Sequence, residues 1–568
     1  MAPKINATSC DVLIIGAGGA GLRAAIEAHE VGAKVIVLSK SLLGKAHTVM
    51  AEGGIAASVA NVDSKDNWKV HFSDTVIEGG YIGDWRMIEK LAKEAPDRVY
   101  ELEHYGALFD RTADGKIMQR AFGAHTYRRL CHVGDKTGLE LIRTLQDQIL
   151  HRDIKILDEL YVTKLIVKEN SIKGAIGFSM RTGEFFSFAC KAVIVATGGA
   201  GMVYRVTSNS WESTGDGMAL AYEAGAALKD MEMVQFHPTG LVWPSGVRGL
   251  LVTEGVRGEG GILVNAEGER FMARYDAERM ELSSRDVVAR AIYREVQAGR
   301  GTPHGGAWLD ITSRGAAFIN RKLPNMRAQF QELADVDITR QPMEVAPTCH
   351  YMMGGIRVDP DTCATPVPGL FAAGEVAAGL HGANRLGGNS LADLLVFGRR
   401  AGESAARFSK EAARRPAITG SEVAAEIDRV LEPLERARGV NPYALLGDLQ
   451  RVMSEHVGIV RTRLGLQQAL DRIWALRERA AQLGTAGGTL YNPGWNLCLD
   501  LDALLLLGEA VARSALTRTE SRGAHYRADF PEEDPAWGQV NIVVARDGKG
   551  TLQLRMVPVS RLEPEQAP

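Results

Sequence analysis

Apolar and polar positions along this 568-residue chain follow two different periods. Near the N-terminus, DVLIIGAGGAGLRAAIEAHEVGAKVIVLSK opens on an apolar run, breaks at glycines, continues at helical spacing and closes on a second apolar run. That order predicts a buried strand, a tight turn, a helix and another strand. LIVKENSIKGAIGFSMRTGEFFSF reads as a hairpin, and KAVIVATGGAG (191–201) and PGLFAAGEVAAG (368–379) each predict a buried strand ended by a glycine turn. After 408 the period becomes helical, through SEVAAEIDRVLEPLERARG, NPYALLGDLQRVMSEHVGIVRTRLGLQQALDRIWALRERAAQL and NPGWNLCLDLDALLLLGEAVARSAL. The tail alternates again around RDGKG, which predicts a small terminal hairpin. There is neither an internal repeat nor a low-complexity block.

The first turn carries Gly16, Gly18, Gly19 and Gly21, a GxGxxG between strand and helix. The first glycine permits the turn, the second lets backbone approach a pyrophosphate, and Gly21 lets helix pack on strand, with the phosphate at the helix N-terminus. The acid that commonly follows the second strand is replaced by Ser39 and Lys40, so ribose contact falls to this pair or to backbone. STGDGMALAYEAGA (213–226) opens a helix at Asp216, read either as its N-cap or as a contact to a cofactor hydroxyl. Three glycine-ended strands so far apart imply a nucleotide-binding domain split by an insertion, as in two-dinucleotide-type flavoproteins. The expected class is α/β: a Rossmann-like βαβ domain (1–237 and 354–408), an inserted α+β capping domain (238–353), a helical domain (409–517) and a small β-containing C-terminal domain (518–568).

Composition narrows the function. A net charge of −3 with dispersed Lys and Arg gives no basis for nucleic-acid binding. Cys10, Cys131, Cys190, Cys349, Cys363 and Cys498 form no CxxC pair, against a disulfide scaffold, a zinc site or an iron–sulfur cluster, and reduced thiols in a cytoplasmic protein are expected. No run reaches the ~18 apolar residues of a spanning helix, so any membrane contact is expected through a partner.

Four polar, glycine-rich groups of segments carry the candidate chemistry: QFHPTG (235–240), LLVTEGVRGEGG (250–261), MELSSRDVVARAIYREV with APTCHYMMGGI, and HGANRLGGNSLADLLVFGRRAG (381–402). They bring two histidines and several arginines without a nucleophile context or metal-ligand cluster. Guanidinium forks bind carboxylates in bidentate fashion, so a small dicarboxylate fits.

These motifs, with IIGAGGAGLRAA, AHTVMAEGG, ATGGAG, AAGEV and ESRGAH in the same order, closely resemble the flavoprotein subunit of succinate dehydrogenase and fumarate reductase over almost the whole chain. The resemblance implies FAD, a capping domain over the flavin, and a partner iron–sulfur subunit. It also implies that His47 in HTV is joined covalently to a methyl group of the flavin, which raises the flavin's potential, and that Thr48, Gly53, Gly54, Asp216, Glu375, Ser390 and Leu391 contact the cofactor. His237, Thr253, His350 and Arg385 resemble the groups that hold the substrate carboxylates. Arg285 resembles the proton-transferring arginine, and Glu254 and Arg257 its relay to solvent. Met352, Met353 and Gly354, with Glu375, are candidates for a structural sodium or potassium ion.

Arginine as acid or base needs help, given a free pKa above ~12. SSRDVVARAIYREV reads as a helix capped by Ser283 or Ser284, with Arg285 in its first turn, where the macrodipole favours proton release by ~0.3–1 kcal/mol. The implied reaction interconverts succinate and fumarate by hydride transfer to the flavin. Electrons then pass to the iron–sulfur partner, and from it through a membrane anchor to quinone, with the chain held peripherally on the cytoplasmic side of a bacterial inner membrane. Succinate oxidation is the favoured direction. A Glu52 anion beside the flavin would lean instead toward fumarate reduction. The alternatives are a soluble L-aspartate oxidase-like enzyme, which lacks the flavin-linking histidine, and a non-catalytic FAD-binding component.

Overall fold

A computed structural model describes residues 5–412, 418–436, 438–548 and 550–560. Its centre is a five-stranded parallel sheet in the order Leu370–Ala372, Ala192–Val195, Val12–Ile15, Val35–Leu38, Lys155–Leu157. The strand residues Val12–Ile15, Val35–Leu38 and Ala192–Val195 are buried throughout, as expected of a parallel sheet covered on both faces. All three glycine-ended segments of the sequence meet in this sheet.

The first turn shows why glycine is required. Gly16 has φ of 114°, and a Cβ on it would lie 2.2 Å from the Ala196 carbonyl oxygen; one on Gly21 would lie 1.9 Å from the Gly16 carbonyl oxygen. The helix Gly19–Glu30 is crossed by Asn389–Glu411 at equally short range. A Cβ on Gly398 would meet the Ala20 carbonyl oxygen at 2.7 Å, and one on Gly402 the Ala24 oxygen at 2.3 Å. Two helices so close hold the N-terminal turn against a segment nearly 400 residues later.

The hairpin predicted after 160 forms from Leu160–Lys168 and Ser171–Ser179, and continues through Phe185–Ala189 to Ile5–Ser9. A second layer is an antiparallel sheet of Val234–Leu241, Met343–Met352, Ala307–Asp310 and Ile262–Val264, with the helix Arg285–Glu295 packed on it. A domain boundary between 237 and 238 would cut Val234–Leu241 in two. Pro238 and Gly240 look like strand breakers, yet the strand continues past both with register shifts.

The helical stretch contains Gly420–Glu435, Pro442–His456, Arg463–Ala480 and Pro493–Thr517. Their starts are chemically marked: Thr419 and Glu422 form a reciprocal capping box, and Asn441, Thr462 and Asn492 accept backbone N–H groups of the first turns. The terminal hairpin forms from Val540–Arg546 and Leu552–Pro558, with Lys549 of its turn outside the described residues. It does not stand alone, because Val543 and Val544 pair with Lys229 and Leu228, extending a sheet that also holds Gly355–Arg357 and Ala377–Ala378.

Gly402→Ala is expected to force the two crossing helices apart and to cost about 1–3 kcal/mol, the range of overpacked cores. Thermal unfolding followed by circular dichroism would show a lower midpoint than wild type, whereas an unchanged midpoint would mean that the crossing yields freely.

Candidate functional site

A cleft is lined by the glycine turn, by Ser39 and His47, and by Arg285, His350 and Arg385. Gly16, Gly18 and Gly19 line one end, while Glu375, Ser390 and Leu391 line the middle with Thr48, Gly53 and Gly54. An elongated dinucleotide fits this shape, its diphosphate at the start of Gly19–Glu30, where glycines keep the backbone bare.

His47 begins the short helix His47–Met50 and is half-buried. Its Nδ1 accepts the Ser210 N–H at 3.3 Å, and Nε2 lies 3.4 Å from Asn209 Nδ2. Burial lowers its pKa to about 4, so at neutral pH the imidazole is uncharged and keeps a lone pair. The 208–210 loop that sets this ring also sets the next one, for Ser208 Oγ lies 2.8 Å from His350 Nδ1. Neither role is legible in TSNS itself.

The arginines form a buried chain. Arg285, 7% exposed, is the first residue of its helix, and its Nε donates to Glu254 Oε2 at 2.7 Å. Ser284 occupies the cap position, but its hydroxyl donates to Asp286 instead of capping the helix. Arg257 lies behind Glu254, its Nη2 3.6 Å from the same oxygen, outside the cleft lining. Burial alone would push the Glu254 carboxyl up; Arg285, Arg257 and His237 overcome it and hold it at about 2. Gln235, overlooked beside FHPTG, accepts from Arg285 Nη1 at 3.1 Å and is itself bonded to Asn384.

Four further groups face the same end of the cleft. His237 Nε2 lies 3.1 Å from the Val252 carbonyl oxygen, which only an N–H can satisfy, so Nδ1 is the ring nitrogen left free. Burial, then Arg285 and Arg257, lowers the His237 pKa well below its ordinary value. A carboxylate placed at Nδ1 would therefore have to bring the second proton with it. The His350 ring centre lies 5.1 Å from that of His237. Thr253 accepts the Gly255 N–H at 3.2 Å, leaving its O–H free to donate. Arg385 is 2% exposed, and burial together with Arg285 lowers its pKa to about 9.

Other predicted residues have different surroundings from those expected. Asp216 is the first helical residue, with Gly215 at the cap; its carboxylate accepts the Gly217 N–H and pairs with Lys40. The Lys40 ammonium is fully engaged by Thr214 at 3.0 Å, Asp216 at 3.1 Å and Asp500 at 2.7 Å. Burial opposes its charge, but Asp216 and Asp500 outweigh burial and raise its pKa. Glu375 is pushed up to about 7 by burial, while its Oε1 accepts the Met352 N–H at 3.0 Å. Met352, Met353 and Gly354 lie outside the cleft lining, and no group of three or more His, Cys, Asp or Glu among the described residues could hold a metal.

Glu52 corrects an expectation. Burial and then Asp135, against Arg120, push its carboxyl well above the usual carboxylate range, which works against the anion expected there. Arg120 instead donates to the Glu52 and Gly53 carbonyls and fixes that turn.

Residues 11–391 match the FAD binding domain family, and 447–567 the fumarate reductase flavoprotein C-term family. The chain is similar to a fumarate reductase (CoM/CoB) component of Methanothermobacter marburgensis, 50% identical over 529 residues covering 93% of this chain and 96% of that one. It is 42% identical to the succinate dehydrogenase flavoprotein subunit of Coxiella burnetii over 570 residues, 96% of either chain. Among solved structures, Mycobacterium smegmatis Sdh1 in complex with UQ1 superposes with a TM-score of 0.89 at 54% identity, over 98% of this chain and 95% of that one. A quinol-fumarate reductase with menaquinol molecules superposes with 0.92 at 35% identity, over 98% and 99%.

Lys40→Met would leave Asp216 and Asp500 buried and facing each other, at an expected cost of about 3–5 kcal/mol. The loss should shrink as the pH is lowered from about 8 to about 5, because one carboxyl then takes up a proton. Melting curves across that range would show the two proteins converging in acid; a constant gap would rule out the charge explanation.

Proposed function

The chain belongs to the family of succinate dehydrogenase and fumarate reductase flavoprotein subunits, FAD-dependent oxidoreductases, and from that premise we propose that it interconverts succinate and fumarate, with succinate oxidation as the working direction. The observation that carries this reading is the buried chain Arg257, Glu254, Arg285 opening onto a cleft where Arg385, His350, His237 and Thr253 converge.

Arg385 and the two histidines suit two carboxylates held apart, with Thr253 offering a hydroxyl donor. FAD, when bound, supplies the two-electron acceptor. Arg285 takes the proton from the substrate carbon next to the one that loses hydride, and Glu254 and Arg257 carry it away from the cleft. In the reverse direction the same groups deliver a proton to fumarate. Uncharged His47 is the residue proposed to bear the flavin covalently. Its uncharged state at neutral pH supports this.

The six cysteines form no CxxC pair, and electrons are proposed to leave to another polypeptide, an iron–sulfur subunit. No described helix is long and apolar enough to cross a membrane. We place the chain on the cytoplasmic side of a bacterial inner membrane, held by an anchor that uses quinone. An alkali ion on the carbonyls of Met352, Met353 and Gly354, with Glu375 beside them, belongs to the proposal.

Arg285→Ala is expected to reduce succinate-dependent dye reduction by about 10²–10⁴, the range of a positioned acid or base, with the flavin still bound. Turnover with L-aspartate but not succinate in the wild type would move the assignment to the oxidase. His47→Ser should release its flavin into the supernatant on acid precipitation, while wild type carries it into the pellet. The alkaline limb of substrate affinity should fall near the Arg385 value of about 9, affinity being lost as the pH rises and the guanidinium gives up its proton.

A further inference from the structure

Arg385 is poorly served by hydrogen bonds. Its Nη1 reaches Ser390 Oγ at 3.3 Å, while its Nε is buried with no partner. What it has is an aromatic face: the guanidinium carbon lies 4.6 Å from the centre of the Tyr351 ring. That ring is anchored at its far end. The Tyr351 hydroxyl lies 3.1 Å from His381 Nε2 and 3.4 Å from Asp393 Oδ2, and the His381 ring meets it edge-on at 81° with centroids 5.2 Å apart. Tyr351, His381 and Asp393 are 6%, 3% and 4% exposed, so the assembly is almost closed to water.

We propose that Tyr351 is the positioning residue of Arg385: its ring is a platform that holds the guanidinium in orientation and in its charged form, and His381 and Asp393 lock the platform in place. This rests on the reading that Arg385 binds a substrate carboxylate. The need for such a platform follows from the neighbours. Arg285 approaches Arg385 from its helix, His350 and Tyr351 from the strand Met343–Met352, Glu254 and Glu375 from their turns, and His381 from the loop before Arg385. His350 and His381 are both pushed toward the neutral form by burial. Glu254 is already bonded to Arg285, and Glu375 accepts the Met352 amide. Among the described residues Arg385 has no carboxylate of its own, so the negative face of a ring is the stabilising contact in reach. The hydroxyl end matters because a cation–π contact depends on where the ring sits, and a free ring could turn out from under the cation.

The test uses full-length, flavin-loaded protein and malonate as probe, with binding followed through the flavin absorbance between about pH 6 and pH 10. Tyr351→Phe keeps the ring but loses the hydroxyl anchor, and should bind malonate more weakly than wild type yet more tightly than Tyr351→Leu. Tyr351→Leu should bind roughly tenfold or more weakly, the scale of a desolvated cation–π contact, and its alkaline limb should move to lower pH. Should Tyr351→Leu fail to hold flavin, 3,4,5-trifluorophenylalanine at the same position preserves the shape while removing the negative ring face. It should show the same weakening and the same shift of the limb. Malonate binding by the fluorinated protein with wild-type affinity and an unmoved limb would overturn the inference while leaving the reaction intact. A wild-type protein that binds no malonate would overturn the carboxylate role of Arg385 itself, a separate failure seen before any variant is made.

Discussion

Burial of positive charge is the constraint that orders the rest of the molecule. Arg285, Arg257 and Arg385 are 7%, 2% and 2% exposed, and among the described residues Glu254 is the carboxylate that pairs with them, through Arg285 and Arg257. Taking a cation out of water costs several kcal/mol unless charge and hydrogen bonds return it. The surroundings supply part of that return through backbone carbonyls, Gln235 and an aromatic face. What is still lacking is negative charge at the mouth of the cleft, which a dianion of small size provides. In the proposed reading, binding and catalysis draw on one imbalance, because the excess that would attract a dicarboxylate also surrounds the arginine proposed to exchange its proton.

Such an imbalance is tolerable only on a rigid frame. The glycine turn, the helix Gly19–Glu30 and the helix Asn389–Glu411 are packed so tightly that side-chain atoms are absent at four contact positions. The same late helix begins with the Asn389, Ser390 and Leu391 segment and follows directly on the Arg385 loop. Packing at the glycine crossings thus fixes the spacing between cofactor end and substrate end. The antiparallel layer contributes the other wall, with His237 and His350 on its paired strands and Arg285 at the head of the helix packed on it.

Much of this is legible in the sequence, and where it is not the reasons are physical. Gly16 and Gly21 are readable because backbone sterics demand glycine there whatever the distant contacts. The helix caps Thr419, Asn441 and Asn492 are readable because they act within a few residues. Lys40 escapes a local reading because its partner Asp500 is 460 residues away, and nothing nearby in the chain distinguishes an ammonium facing a ribose from one held between two carboxylates. The strand Val234–Leu241 divides on paper because Pro238 and Gly240 mimic its end. Glu52 reads as an ordinary carboxylate because the burial that pushes its carboxyl upward cannot be read from a single chain. Tyr351, His381 and Asp393 are invisible as a group, since each alone passes for an ordinary core residue.

The last strands of the chain have a consequence for synthesis. Leu228 and Lys229 take Val543 and Val544 as sheet neighbours, and the same two residues pair on their other side with Gly355 and Ile356. A ribosome delivers these partners in order, N-terminal first, and the last of these pairings waits until Val543 and Val544 have been made. During that interval the sheet beside the Met352–Gly355 turn presents an unpaired edge, the kind of surface that invites wrong partners. A pairing between segments so far apart in the chain is slow to form, because the long loop must close before its contacts can be made.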